Sequence, residues 1–193
     1  MHAVGSVHGR FQPFHNDHLE YVLAAKGRCQ FLLVGITKYD ITPIEASPLA
    51  RARERPDHNP LTYFERITLI AEALVESHVP RESFGFVPFP IETPNRLTTF
   101  MPISVPCFTT IREDWNREKI QVLEAGGYQV VVLWDRPVKT VTGGLIREDI
   151  ANGGTRWKGM VPPATARAVE VLNLRQRLRE LRDARGLSRP DKC

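Results

Sequence analysis

The sequence predicts an α/β protein: one domain on an open, parallel, five-stranded sheet, with helices on both faces and a C-terminal helix over about residues 165–185. Three observations carry that prediction. Short runs rich in Val, Ile and Leu recur along the 193 residues, with helically spaced apolar stretches between them. The first such run, residues 3–7, passes through Gly-Arg-Phe-Gln-Pro-Phe-His-Asn-Asp-His at residues 9–18 into a helical pattern of Leu19, Val22 and Leu23. A turn of that kind places backbone N–H groups and a positive helix end at the carboxyl edge of a sheet, where anions bind. The composition, 42% hydrophobic and 25% charged, is that of an ordinary globular chain.

Taken in order, residues 3–7 and 31–36 read as parallel strands joined through a helix at 16–25, with a right-handed crossover. Residues 37–60 are a long polar loop broken by Pro43, Pro48, Pro56 and Pro60 and carrying Lys38, Arg51, Arg53 and Arg55. Loops of that length in a compact domain are functional or mobile. Thr62 with Glu65 three residues on forms a capping box ahead of Ile67, Leu69, Ile70, Ala73 and Leu74. A strand at 84–87 leads into a proline-punctuated, irregular stretch, with a short helical turn at 97–101. Residues 108–111 and 129–134 read as strands around a helix at 115–125 that Gly126 and Gly127 end. Another helix opens at Gly143, and the tail from 165 to 185 reads as one helix with Val169, Leu172, Leu178 and Leu181 inward.

Bulk properties narrow the function. A net charge of +4 and a pI near 9.1 suit a site for polyanionic nucleotides and fall short of a nucleic-acid signature. The arginines of the tail, Arg167, Arg175, Arg177, Arg179, Arg182 and Arg185, alternate with Glu170, Glu180 and Asp183, which fits a solvated helix or a contact in a homo-oligomer better than a nucleic-acid surface. Cys29, Cys107 and Cys193 form no Cys-x-x-Cys pair and read as free thiols in a reducing, cytoplasmic setting. No apolar run reaches the length of a membrane span, and no basic-then-apolar signal segment opens the chain.

The chemistry concentrates in two turns. In the first, Gly9 permits close backbone approach, Arg10 supplies a fork for phosphate, and His15 and His18 straddle the start of the helix. Phe11, Pro13 and Phe14 suit packing, while Gln12 is open to a packing or a ligand-binding reading. In the second, Val-Thr-Gly-Gly-Leu-Ile-Arg at 141–147, Thr142 offers a hydroxyl, Gly143 and Gly144 bare N–H groups, and Arg147 a charge one turn into the helix.

The first run resembles the Gly-Arg-Phe-Gln-Pro-x-His-x-Gly-His of the nucleotidylyltransferase superfamily, in the branch of the archaeal nicotinamide mononucleotide (NMN) adenylyltransferases. The second resembles that family's Ile-Ser-Gly-Thr-x-Ile-Arg, and the likeness continues through Trp157, Val161 and Pro162, over roughly residues 3–165 in all. The resemblance implies a Rossmann-like fold and in-line attack of an acceptor oxygen on the α-phosphorus of a nucleoside triphosphate, with no covalent enzyme intermediate. It implies His18, His15 and Arg147 as catalytic residues. Gly9, Arg10, Phe11, Gln12, His15, His18, Thr142, Gly143, Gly144 and Arg147 would bind the nucleotide. Magnesium would arrive with the triphosphate; no protein ligands are assigned to it.

The chain departs from the pattern at three places. Asp17 stands where the family has glycine, Gly144 where it has threonine, and residues 88–102 lack the tryptophan that stacks on nicotinamide. Phe100 is the aromatic left there, better suited to the core than to stacking. Together with the cations Lys38, Arg51, Arg53, Arg55 and Arg96, placed on the acceptor side, this favours a small, highly anionic acceptor. The leading expectation is therefore transfer of CMP or AMP from CTP or ATP to a small phosphate or phosphonate. NMN adenylylation is the alternative, and a nucleotide-binding regulator without turnover represents a different class.

Overall fold

The structure, a computed structural model, describes residues 1–40, 55–112, 114–136 and 141–187. Strands β1 (His2–Gly9), β2 (Cys29–Ile36), β3 (Phe84–Pro88), β4 (Cys107–Ile111) and β5 (Val130–Asp135) form one sheet. Its order is β3-β2-β1-β4-β5 and every pairing is parallel. The five expected strands are all present, because runs of β-branched and leucine side chains can be buried on both faces of a parallel sheet.

Between the strands lie α1 (Asn16–Lys26), α2 (Tyr63–Glu76), α3 (Asp114–Ala125) and α4 (Gly143–Ala151), with α5 (Pro163–Val171) and α6 (Leu174–Leu187) closing the chain. Alternation along the strands sends side chains into two cores. Val7, Leu32, Val34 and Ile36 pack with Val22 of α1 and with Leu69, Ile70 and Leu74 of α2. On the opposite face Leu33, Val4 and Cys107 pack with Phe89, Leu97, Met101 and Leu123 of α3. Helix α2 begins as expected: the Thr62 hydroxyl accepts from the Glu65 N–H at 3.2 Å, and the Glu65 carboxylate accepts from the Thr62 N–H at 2.8 Å. The irregular stretch after β3 contains one short 3-10 turn, Pro94–Thr99, whose Leu97 is buried.

The tail corrects the expectation of a single helix over 165–185. Asn173, at φ 46°, breaks it into α5 and α6, a left-handed conformation that asparagine tolerates better than most residues. Helix α6 packs on α4 and α5. Three of its arginines are engaged within the chain: Arg177 meets Glu65 at 2.8 Å, Arg179 donates to the Ala151 carbonyl at 3.0 Å, and Arg182 lies 4.0 Å from Asp57.

Candidate active site

At the carboxyl ends of β1 and β4 a cleft of about 300 Å³ opens between the first turns of α1 and α4. The turn after β1 is shaped by aromatic anchoring. Phe11 has φ 52° and a buried ring. Gly9 leaves space for that ring, since a Cβ there would lie 2.6 Å from Phe11 Cε1. A non-glycine residue in the left-handed region at a ligand turn is strain that the surroundings must hold in place. Gln12 and Arg66 hold it. The Gln12 amide donates to the Leu61 carbonyl at 2.8 Å and accepts from the Leu61 N–H at 3.0 Å, tying the turn to the entry of α2.

Arg66, fully buried on α2, donates to the carbonyls of Arg10 at 3.0 Å, Thr37 at 2.8 Å and Lys38 at 2.7 Å, and to Thr62 at 3.2 Å. Its guanidinium therefore pins the carboxyl ends of β1 and β2 together. Burial lowers its pKa to about 10.

The two histidines meet as one unit. Their rings stack at 3.6 Å between centroids and 20° between planes, and His18 also meets the edge of Phe11 at 4.9 Å. His15 is the N-cap residue of α1 and is buried, whereas His18 is half-buried. Across the cleft Thr142 caps α4, its hydroxyl oxygen accepting from the Leu145 N–H at 3.2 Å. The two turns touch: a Cβ at Gly143 would lie 2.8 Å from the Gln12 carbonyl oxygen, and Arg147 donates to that same oxygen at 2.5 Å. Burial, then the nearby Arg10 charge, lowers Arg147 to about 10. Gly144 is exposed and open.

The structure thus brings Gly9, Arg10, Phe11, Gln12, His15, His18, Thr142, Gly143, Gly144 and Arg147 to one cleft. Of the cations placed on the acceptor side, Lys38 lines it. Arg55 does not: it holds Asp57 at 2.8 Å and borders a second recess with His58, Glu148 and Arg182, which adjoins the cleft at Gly144 and Arg147. Arg96 is exposed on the 3-10 turn away from the cleft lining. Arg51 and Arg53 lie outside the described residues. Phe100 sits against Tyr39 at 5.8 Å and does not line the cleft.

Residues that sequence reasoning passed over also line the cleft, among them His8 at the end of β1, Arg112 just after β4, and Trp115 and Lys119 on α3. A usable signal existed for the first two, because residues at the carboxyl ends of central strands line ligand sites in such sheets.

The chain is 40% identical over 177 residues to the phosphonoformate cytidylyltransferase of Streptomyces viridochromogenes, covering 92% of this chain and 96% of that one. It belongs to the nucleotidylyltransferase superfamily. It is 25% identical to the nicotinamide-nucleotide adenylyltransferase of Ignicoccus hospitalis, over 90% of this chain and 94% of that one. In fold it matches the bifunctional NMN adenylyltransferase/ADP ribose pyrophosphatase of Francisella tularensis with a TM-score of 0.66 at 14% identity, covering 94% of this chain and about half (52%) of that one. A second structure of the Francisella protein holds AMP and a manganese ion. No protein-family model matches the chain. The protein is an enzyme, a nucleotidyltransferase.

In this nucleotidylyltransferase the aspartate at the family's glycine position has a specific partner. The Asp17 carboxylate accepts from Arg112 at 3.0 Å, with both side chains about one-tenth exposed, and Arg112 lies 3.6 Å from Glu20 as well. A carboxylate in the first turn of α1, where it would repel phosphate, is thereby countered by a cation from the end of β4. Among the described residues no three His, Cys, Asp or Glu side chains gather as a metal site. Within them, too, no helix is long and apolar enough to cross a membrane.

Proposed function

We propose that this enzyme transfers a cytidylyl group from CTP to a small phosphonate and releases pyrophosphate. The observation that carries the reading is the make-up of the cleft wall opposite the two phosphate turns, where Lys38, Arg112 and Lys119 supply cations and residues 88–102 supply no tryptophan. The likeness to a phosphonoformate cytidylyltransferase over nearly the whole of both chains supports it.

In this mechanism a phosphonate oxygen attacks the α-phosphorus in line. The bond from the α-phosphorus to the α,β-bridging oxygen breaks as the new one forms, and pyrophosphate leaves. His18, with His15 stacked on it, donates to the phosphate oxygens where charge accumulates. The Gly143 and Gly144 N–H groups and the Thr142 hydroxyl proton receive the β- and γ-phosphates at the positive end of α4. Arg147, anchored through one nitrogen on the Gln12 carbonyl, presents the rest of its fork to the leaving group. Positioning and charge do the catalysis, so no nucleophilic side chain is required. Among the described residues no cluster of three His, Cys, Asp or Glu side chains would hold a metal, and magnesium would arrive with the triphosphate and neutralise part of its charge. The free thiols Cys29 and Cys107, both buried, suit a cytoplasmic enzyme.

NMN adenylylation is favoured by one observation: Trp115 lines the cleft and offers a ring to a flat base. Pyrophosphate release, measured for ATP and CTP against phosphonoformate, other small phosphonates and NMN, separates the readings. Turnover confined to CTP with phosphonates supports the proposal, and turnover confined to ATP with NMN replaces it. His18→Ala should cut turnover about 10²- to 10³-fold with the fold intact; near-normal turnover would remove His18 from the mechanism.

A further inference from the structure

His8 is out of keeping with its position. It is the penultimate residue of β1, the middle strand of a parallel sheet, and is 3% exposed. Among the described residues neither ring nitrogen finds a hydrogen-bond partner, and a buried polar group in that state calls for an explanation. The ring is nevertheless held firmly. Its register partner on β2 is Gly35, and the Phe89 ring occupies the space of the missing side chain, since a Cβ at Gly35 would lie 2.6 Å from Phe89 Cδ2. Phe89 stacks on His8 at 4.3 Å and 3°. The imidazole is therefore fixed in plane, and His8 lines a cleft that Lys119 of α3 also lines.

Lys119 is half-buried, its ammonium 5.0 Å from the centre of the Trp115 ring, and its charge acts on His8. An imidazole with two uncommitted nitrogens beside an ammonium is suited to a compact anion: one ring N–H donates, and the cation neutralises. The Asp17 carboxylate on the same wall is countered by Arg112, and Glu92 is the other acid lining the cleft.

We propose that His8 and Lys119 form the pocket for a second anionic group of the acceptor, a carboxylate carried beside the phosphonate. This rests on the phosphonate reading above. It divides the cleft into a part where the phosphonate oxygen meets the α-phosphorus and a part that recognises the acceptor's other end. The pocket selects a small acceptor with two acidic groups over one with the phosphonate alone.

The test uses His8→Phe, which keeps a ring for Phe89 to stack on but removes both nitrogens, and Lys119→Met, which keeps the apolar stem and removes the charge. Each is assayed with CTP against phosphonoformate, which bears both groups, and against methylphosphonate, which lacks the carboxylate. Thermal melting and direct CTP titration confirm an intact fold and nucleotide site. Should His8→Phe fail to fold, Lys119→Met, on the cleft side of a helix, carries the test by itself. The expected result is an increase in KM for phosphonoformate of about ten- to a hundredfold in either variant, with KM for CTP held within about twofold and KM for methylphosphonate rising far less than that for phosphonoformate. His8→Gln should recover part of the loss. Unchanged KM for phosphonoformate, or equal losses with both acceptors, overturns the pocket while leaving the phosphonate reading standing. Wild-type enzyme that turns over neither phosphonate overturns that reading, and the pocket falls with it.

Discussion

Replacing Arg66 with methionine tests whether the cleft is held open from behind. The methionine has comparable length, and the site it would fill is fully buried. The carbonyls of Arg10, Thr37 and Lys38 would each lose a charge-assisted donor now 2.7 to 3.0 Å away. At about 1–3 kcal/mol for each stranded acceptor the loss is about 3–9 kcal/mol. Against it stands the burial cost of the guanidinium, which a drop from 12.5 to about 10 puts at about 3 kcal/mol. The net expectation is a destabilisation of about 0–6 kcal/mol, centred on about 3 kcal/mol, and at that centre a melting temperature lower by about 6–12 °C for a chain of this size. Urea unfolding followed by circular dichroism gives the first number, and pyrophosphate release gives KM for the triphosphate. KM should rise, because Arg10 and Lys38 line the cleft and their backbone is what Arg66 pins. Arg66→Lys should not rescue either property, since one ammonium cannot span three carbonyls in a plane. Stability within about 0.5 kcal/mol of wild type and an unchanged KM would refute the reasoning.

Other expectations follow from the same geometry. Gly143→Ala should lower stability by about 1–3 kcal/mol and depress turnover, because its Cβ meets a backbone oxygen at 2.8 Å. Gly144→Ala, whose nearest neighbour would be Thr142 Oγ1 at 3.8 Å, should leave stability unchanged or raise it by up to about 1 kcal/mol. The reverse ranking in thermal melts would show that the two turns do not touch. Arg112→Met should raise KM for the triphosphate about tenfold by leaving the Asp17 carboxylate beside phosphate, and adding Asp17→Asn should recover most of it; a double variant no better than the single one would dismiss the pairing. Burial, then the charge of Lys119, holds His8 well below its ordinary 6.5, so the folded state favours the neutral ring. The unfolded chain then binds the extra proton, and stability present above pH about 6.5 falls by about 1 kcal/mol per unit as the pH drops toward the folded value. Urea midpoints between pH 5 and 7.5 should show that slope shallower in His8→Phe, with a remainder from His58, which burial shifts the same way. Equal slopes in both proteins would mean His8 is not buried in the neutral form.

The strands and the two strand-to-helix turns were legible in the sequence because their causes are local. A run such as Phe31 to Ile36 is apolar on consecutive residues, so it tolerates burial on both faces wherever the sheet places it. The chemistry of His15, His18, Thr142 and Arg147 sits on turns that a few neighbouring residues specify. The break at Asn173 was not legible, since the apolar spacing runs on across it and only the packing of α6 onto α4 rewards the left-handed residue. The helical tail and its amphipathic face belong to the sequence alone; its fold-back belongs to the tertiary structure.

The same division runs through the site. Local patterning determined the α/β class and the strand-to-helix turns. Only the assembled sheet, with β1 between β2 and β4, brought Arg112 to Asp17, Phe89 to His8, Lys119 to the cleft and Arg66 beneath it. Each of those partners lies dozens of residues from the group it answers, on an element whose own pattern records only strand or helix. Charge pairing and hydrogen bonding at that range depend on strand order and register, which are set by the packing of all the elements together and are written in no single stretch of the chain.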